Sequence, residues 1–346
     1  MVLAARQRSD VPEPPAEAAA TLRASVIVPT HDRRELLERT LLCLSQQTVD
    51  LSTVEVIVVA DGCSDGTLDM LRFHRWPFPL RVLRHSQRGP AASRNAAAAV
   101  ARAPVLIFLD DDVMAAPDLV DKHLAAHSDG VPTVAIGRLS PASMPGVPGW
   151  WRWLEGQLDS QYRAMLCGKR RVDGVCLYSG NCSMSREAFL QMQGFNEKLE
   201  HSEDIELGMR LEKAGVSFRL ALDASAEHWG CRGYSSWREM ARCYGRWDAD
   251  LIFKAEFPSA LERLRAEYRE RGRLRQSLIA SALHDERRLN AFAGGLRAVA
   301  AVSGVLRLCA LERKAYGAIY DLTYWKGVSD ELGGLRAVAR TVRRTP

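Results

Sequence analysis

LIFLDDDV, residues 106–113, joins an apolar run to three consecutive carboxylates, Asp110, Asp111 and Asp112. The apolar part follows a breaker, Pro104, and is too short for a helix. It therefore reads as a strand buried on both faces, as in a parallel sheet. The acids fall where that strand leaves the sheet, at its carboxyl end, which is the rim where open α/β sheets bind ligands. Three adjacent like charges stay ionised cheaply only beside a cation or dense hydrogen bonding. Alone, the triplet also reads as an acidic turn in which Asp112 or Asp118 caps the next helix. Its neighbours decide between the two.

Working outward, residues 25–28 form a β-branched strand that Pro29 stops at the rim, and Leu37, Leu41 and Leu44 mark a helix over 34–47. A second buried strand spans 54–59 and runs into Ala60, Asp61 and Gly62, with Ser64 or Asp65 capping a helix from Thr67. Residues 80–83 supply a third strand. Gly89 and Pro90 open an alanine-rich helix over 91–101 that carries Arg94 and Asn95. This β-α-β-α-β-α-β alternation implies parallel strands with right-handed crossovers. Every strand then delivers its last residues to one rim, where Pro29, Thr30 and Asp32 should meet Asp61 and the acidic triplet. Neither GxGxxG nor GxxxxGK[ST] follows the first strand, which argues against a dehydrogenase and an ATPase.

Residues 130–178 resist such a reading. Pro132, Pro141, Pro145 and Pro148 interrupt any period, and Trp150, Trp151 and Trp153 crowd one end. The tryptophans suit sugar or lipid stacking, or the anchoring of a long loop. Residues 175–185 should pass from strand into helix at Arg186. Glu203 and Asp204 open an amphipathic helix built on Ile205, Leu207, Met209 and Leu211, where carboxylates also suit the helix dipole. Residues 216–220 form another expected strand, with His228 and Trp229 just beyond it.

The 346-residue chain is 47% hydrophobic and 26% charged, as ordinary globular proteins are. Its charge is uneven: residues 1–230 hold 25 Lys+Arg against 29 Asp+Glu, and residues 231–346 hold 22 against 13. The basic region reads as helical. Arg263, Arg265, Arg269, Arg271, Arg273 and Arg275 sit among Leu261, Leu264 and Leu274, and GGLRAVA recurs at 294–300 and 333–339. Such helices either lie on an anionic membrane surface or pack on a core with their arginines in water. Eight cysteines with no CxxC pair suggest reduced thiols in a cytoplasmic protein, not a disulfide frame or a zinc site. Residues 1–22 lack the apolar core of a signal peptide and are expected to form a disordered arm. No stretch is long and apolar enough for a spanning helix.

SVIVPTHDR (25–33), VVADGCSDGT (58–67), RGPAASRNAA (88–97), FLDDDV (108–113), SGNCSMSREAF (179–189) and GFNEKLEHSEDIELGMRLEKAG (194–215) stand in that order. Together they resemble the family 2 glycosyltransferases, nucleotide-sugar-dependent enzymes of the GT-A fold. The resemblance implies an α/β architecture: a Rossmann-like, mostly parallel sheet flanked by helices, followed by a helical C-terminal extension. It divides the chain into a glycosyltransferase domain over 23–230, with a nucleotide-sugar half (23–115) and an acceptor half (116–230), and the basic helical region 231–346.

Residue by residue, the resemblance puts Pro29, Thr30, Asp32 and Arg94 near the donor nucleotide and Asp61 against its base, typically uracil. Asp110 and Asp112 match the DxD motif. Asp112 is the more direct ligand of a divalent ion, Mn²⁺ or Mg²⁺, and Asp110 and His228 complete the metal site. Asp111 belongs to the donor side but is expected to be the more replaceable acid. Asp204 is the implied catalytic base, with Glu203 next in line, and Gly180, Asn181 and Trp229 are assigned to the acceptor. The chemistry suits these roles: a divalent ion stabilises charge on a leaving diphosphate, and a carboxylate takes the proton of an attacking hydroxyl.

Processive members of the family carry Gln-x-x-Arg-Trp and membrane-spanning helices. Here CYGRW keeps Arg246 and Trp247, but Cys243 holds the glutamine position. The expected activity is thus inverting, metal-dependent, non-processive transfer from a nucleotide-diphosphate sugar, with UDP favoured. The acceptor is the hydroxyl of a discrete glycan, glycolipid or small molecule. Nucleic acid is not an expected partner, whereas the basic helices offer a peripheral contact with the inner face of the plasma membrane. A sugar-nucleotide pyrophosphorylase would need a glycine-rich basic loop after the first strand, which Thr30-His31-Asp32-Arg33 does not supply. A catalytically silent binding module would be expected to lack Asp112 or Asp204.

Overall fold

The computed structural model describes residues 21–142, 146–199, 201–253 and 258–343, so the expectation for residues 1–22 falls almost wholly outside it. The chain divides into two compact units, residues 1–144 with 159–230 and residues 145–158 with 231–346.

The first unit opens with β1 (Ala24–Thr30), α1 (Arg34–Ser45), β2 (Val54–Asp61), α2 (Thr67–Phe73), β3 (Leu80–His85), α3 (Pro90–Val100) and β4 (Val105–Leu109). β5 (Val113–Ala115), α4 (Leu119–Ala125), β6 (Thr133–Pro141) and α5 (Gly149–Leu166) follow, with α5 divided between the units after Leu158. β7 (Asn181–Ser185), α6 (Arg186–Gln191), α7 (Glu203–Lys213) and β8 (Ser217–His228) complete it. The strands form one sheet in the order β3-β2-β1-β4-β7-β6-β8-β5. β1 to β4 are mutually parallel. β1, β2 and β4 are almost wholly buried and mainly apolar, and the polar pair inside them, Ser25 and Glu55, is satisfied by a hydrogen bond of 2.6 Å.

The rest of the sheet is mixed, since β7 runs antiparallel to both β4 and β6, while β6 and β8 are parallel. The stretch that resisted reading thus contains a nine-residue strand and an eighteen-residue helix. Two boundaries also differ from expectation. Pro29 lies inside β1, because the ladder to β4 ends at Ile27–Phe108 and asks no N–H of it on that side. β8 extends to His228, which is the last residue of the strand.

In the second unit α8 (Tyr234–Phe253), α9 (Pro258–Glu270), α10 (Arg273–Ala282), α11 (Glu286–Val305), α12 (Cys309–Leu332) and α13 (Leu335–Arg343) form a helical assembly. α8 and α12 approach closely through glycines. A Cβ on Gly245 would meet the Tyr324 carbonyl oxygen at 2.0 Å, and one on Gly327 would meet that of Arg242 at 2.0 Å. Trp247 is buried, a structural use of the CYGRW segment. Of the two readings of the tryptophans, the packing is that of an internal anchor: Trp151 is buried, Trp150 packs edge-on against Tyr234, and Trp153 meets Trp237 and Tyr320. The basic helices also turn part of their charge inward. Arg271 and Arg275 both pair with buried Asp321, at 3.1 and 3.0 Å. The Arg263 side chain lies outside the described residues. No helix among the described residues is long and apolar enough to cross a membrane.

Candidate active site

Because β1, β2 and β4 are parallel and in register, their carboxyl ends open on one rim. There Thr30 donates its hydroxyl to Asp111 at 2.7 Å, and Arg33 reaches Asp111 at 3.0 Å and Asp112 at 2.8 Å through the same Nη1. The Asp111 main-chain carbonyl accepts from the Thr40 hydroxyl at 2.8 Å. None of the three acids caps α4, whose N-cap is Asp118 with no side-chain bond. Asp111 and Asp112 are equally buried, and Asp111 bonds to both Thr30 and Arg33. Burial, despite the lowering influence of Arg33, pushes its acid up to about 6. Its bonds to Thr30 and Arg33 give it a framework position that the reading of it as the more replaceable acid did not include.

Asp110 faces elsewhere. Arg94, on α3 and buried, donates to Asp110 at 2.6 Å through Nη2 and to Glu203 at 3.0 Å through Nη1. Burial alone would weaken the guanidinium's hold on its proton, but the two carboxylates reverse this and raise its pKa. Glu203 and Asp204 form the first turn of α7, with Ser202 before them in the left-handed region at φ 61. Asp204 accepts from its neighbour Ile205 N–H at 2.8 Å and from Ser179 N–H at 3.3 Å. Desolvation, then the Glu203 charge, raise its acid to about 7, outweighing those N–H groups and Arg94. A carboxylate tuned near neutrality is suited to accept a proton at working pH.

Two glycines bracket the DxD carboxylates. Gly180, whose carbonyl accepts from the Asp110 N–H at 3.3 Å, would bring a Cβ within 3.0 Å of Asp110 Oδ2. Gly230 would bring one within 2.3 Å of Asp112 Oδ2 and 2.9 Å of His228 Nε2. His228 Nε2 itself lies 3.5 Å from Asp112 Oδ1. Carboxylate oxygen and imidazole nitrogen thus converge in a cradle that any side chain at position 230 would fill, a donor set that fits Mn²⁺ or Mg²⁺. Asp110 does not join it. Among the described residues, the trio of potential ligands sharing one point is Asp32, Cys63 and Asp65. There Asp32 accepts from Ser64 N–H at 2.6 Å and Asp65 from Arg34 N–H at 2.8 Å, so these acids stitch a loop together.

The family model described as glycosyl transferase family 2 matches residues 25–192, a span that holds Arg94 and the acids Asp110, Asp111 and Asp112 and ends before Glu203. Residues 25–192 carry a glycosyl transferase family 2 domain. A validoxylamine A glucosyltransferase from Streptomyces hygroscopicus subsp. jinggangensis is 30% identical over 232 residues, 60% of this chain and 54% of that protein. The uncharacterized glycosyltransferase YfnE of Bacillus subtilis is 44% identical over 117 residues, 34% of this chain and 30% of that one. The chain spans about half or less of the length of these relatives. Among solved structures, a mannosyltransferase from Pyrobaculum calidifontis in complex with GDP-Man and Mn²⁺ superposes with a TM-score of 0.55 at 21% identity, covering 97% of this chain and 90% of that one. Staphylococcus aureus TarS 1–349 in complex with UDP-GlcNAc does so at 0.55 and 19%, covering 90% and 92%. The fold is GT-A.

The remaining site residues separate by accessibility. Asp61 is buried and accepts from the N–H groups of Arg88 and Gly89 at 2.8 and 2.7 Å, tying β2 to the loop before α3. Asn181 corrects the expectation that it lines the acceptor. Its side chain lies wholly inside the sheet, where its amide nitrogen donates to the carbonyls of Ala224 and Arg138 and its oxygen meets buried His123. Trp229 is fixed by its main-chain N–H to the Asp112 carbonyl at 2.8 Å, and its ring lies under the Arg39 guanidinium at 5.2 Å. The sequence reading missed Arg33 and Gly230. Arg33 closes the SVIVPTHDR segment and Gly230 follows the His-Trp pair, but only the fold shows that both contact Asp112.

Proposed function

We propose that the chain is an inverting, metal-dependent glycosyltransferase that moves a sugar from a nucleotide-diphosphate donor to an acceptor hydroxyl, without processivity. The observation that carries this reading is the Arg94 bridge, which joins the DxD acid Asp110 to the Glu203–Asp204 turn. Donor-side and acceptor-side groups are thereby held in one rigid constellation. Asp204 takes the proton of the acceptor hydroxyl as its oxygen bonds to the anomeric carbon. The bond to the diphosphate breaks on the opposite face, and its electron pair leaves with the nucleoside diphosphate. One displacement inverts the centre and needs no second carboxylate as nucleophile. Asp112 and His228 would hold the divalent cation, which supplies charge neutralisation to the diphosphate. Gly180 leaves room beside Asp110, and Trp229 offers a flat face on the acceptor side. Asp61 and Thr30 shape the nucleotide end of the rim.

UDP is the favoured nucleotide, in keeping with the TarS complex, and a hexose donor with the glucosyl transfer named in one relative. A screen of UDP-, GDP- and dTDP-sugars with Mn²⁺, scored by nucleoside diphosphate release, tests this. Release from one nucleotide class that rises on adding a hydroxylic acceptor is the expected result. No release from any donor sugar, with and without acceptors, would overturn the reading.

A further inference from the structure

The second unit carries an apolar surface that nothing among the described residues covers. α11 ends at Val305 and α12 begins at Cys309, so Leu306, Arg307 and Leu308 form the turn of a helical hairpin. Val302 is 58% exposed, Val305 83%, Leu306 60%, Leu308 49% and Leu311 45%. Scattered aliphatic residues on a surface need no explanation, but five gathered at one hairpin tip do. The turn is closed by N–H bonds from Arg307 to Gly304 and from Leu308 to Ser303, at 3.1 and 2.8 Å. Arg307 sits there at φ 57, the left-handed position that glycine usually takes. An arginine thus occupies a strained place from which its charge projects beside the apolar tip.

The margin of the tip is cationic. Arg307, Arg313 and Lys314 are exposed, and none pairs with a carboxylate among the described residues. The adjacent acid, Glu312, is already engaged by Arg152 at 2.9 Å. We propose that this α11–α12 turn is a shallow anchor that seats in the headgroup boundary of an anionic lipid bilayer. Aliphatic side chains at the apex would enter the acyl boundary while the three cations meet lipid phosphates, the division of labour of interfacial segments. A second copy of the chain is a poor occupant, because a self-complementary contact would press the same cations together. The anchor differs from the arginines of α9 and α10, two of which are committed to Asp321. It does not depend on the catalytic reading.

Co-sedimentation of the full chain with phosphatidylglycerol vesicles and with phosphatidylcholine vesicles tests it. The wild type should sediment with the first and not the second, and added salt should release it. The double variant V305D/L306D should lower binding about tenfold or more. Both side chains are exposed, so its thermal unfolding should match the wild type. R313E/K314E should weaken binding to phosphatidylglycerol as well. Failure of the wild type to bind anionic vesicles, or undiminished binding by V305D/L306D, would overturn the proposal. A wild-type dimer seen by light scattering that V305D/L306D dissociates would also overturn it, assigning the tip to self-association.

Discussion

Arg94 donates to Asp110 at 2.6 Å and to Glu203 at 3.0 Å, linking the acid that follows β4 to the first turn of α7. The guanidinium is buried, and its planar fork serves two carboxylates at once, which an ammonium cannot do in the same geometry. Replacing it leaves two acids facing each other without a cation. Arg94→Met should destabilise the chain by about 3–5 kcal/mol, seen as a lower urea midpoint. Arg94→Lys should recover part of that stability but not the turnover.

Asp204 makes the pH dependence testable. Its acid is raised to about 7 by burial and by Glu203, so a base in this position is ionised only above that pH. The rate of sugar transfer should therefore rise with pH through about 7 and lose that limb in Asp204→Asn, along with nearly all turnover. The stability sign is opposite. A carboxylate raised in the folded state stabilises the fold when protonated, and that contribution is lost as pH climbs through the folded value. Asp204→Asn should thus melt at or above the wild type at pH 8, with the difference shrinking as pH falls toward 5.

Gly230 should tolerate no side chain. A Cβ would lie 2.3 Å from Asp112 Oδ2 and 2.9 Å from His228 Nε2, so one of them must move. Displacements of that size at a reacting centre cost on the order of 100-fold in rate. Gly230→Ala is expected to keep its unfolding temperature and lose activity on that scale. Gly180→Ala, at 3.0 Å from Asp110 Oδ2, should be milder. Equal activity in Gly230→Ala and the wild type would remove the cradle from the account.

Asp111 belongs to the framework. Asp111→Ala strands the Thr30 hydroxyl and removes one of the two Arg33 contacts. A loss of about 1–3 kcal/mol is expected, measured by chemical denaturation. Asp111→Asn, which keeps the shape, should lose less.

These outcomes mark what the sequence disclosed. β2 and β4 were legible because strands buried in a parallel sheet leave apolar runs at 56–60 and 105–109. The common rim followed from that topology, as did the meeting of Thr30 with the acidic triplet. β6 and α5 were hidden by prolines that stand at their ends instead of interrupting them. Side-chain direction was the other gap. Consecutive acids at 110, 111 and 112 turn to Arg94, to Thr30 and Arg33, and to Arg33 and His228 respectively, a division that spacing alone does not encode. Asn181 looked available beside Gly180, yet strand alternation turns it into the sheet against His123. Gly230 carried no signal, because the need for an empty Cβ arises only once Asp112 and His228 are in place.

The central claim is that Asp112 and His228 hold a divalent cation used in glycosyl transfer. Its most direct test is nucleoside diphosphate release from the preferred sugar nucleotide, with Mn²⁺ and with chelator, for the wild type and Asp112→Asn. The account predicts release by the wild type that chelator abolishes and Mn²⁺ restores, and none by the variant under either condition. Undiminished release by the chelated wild type, or wild-type rates in Asp112→Asn, would contradict it.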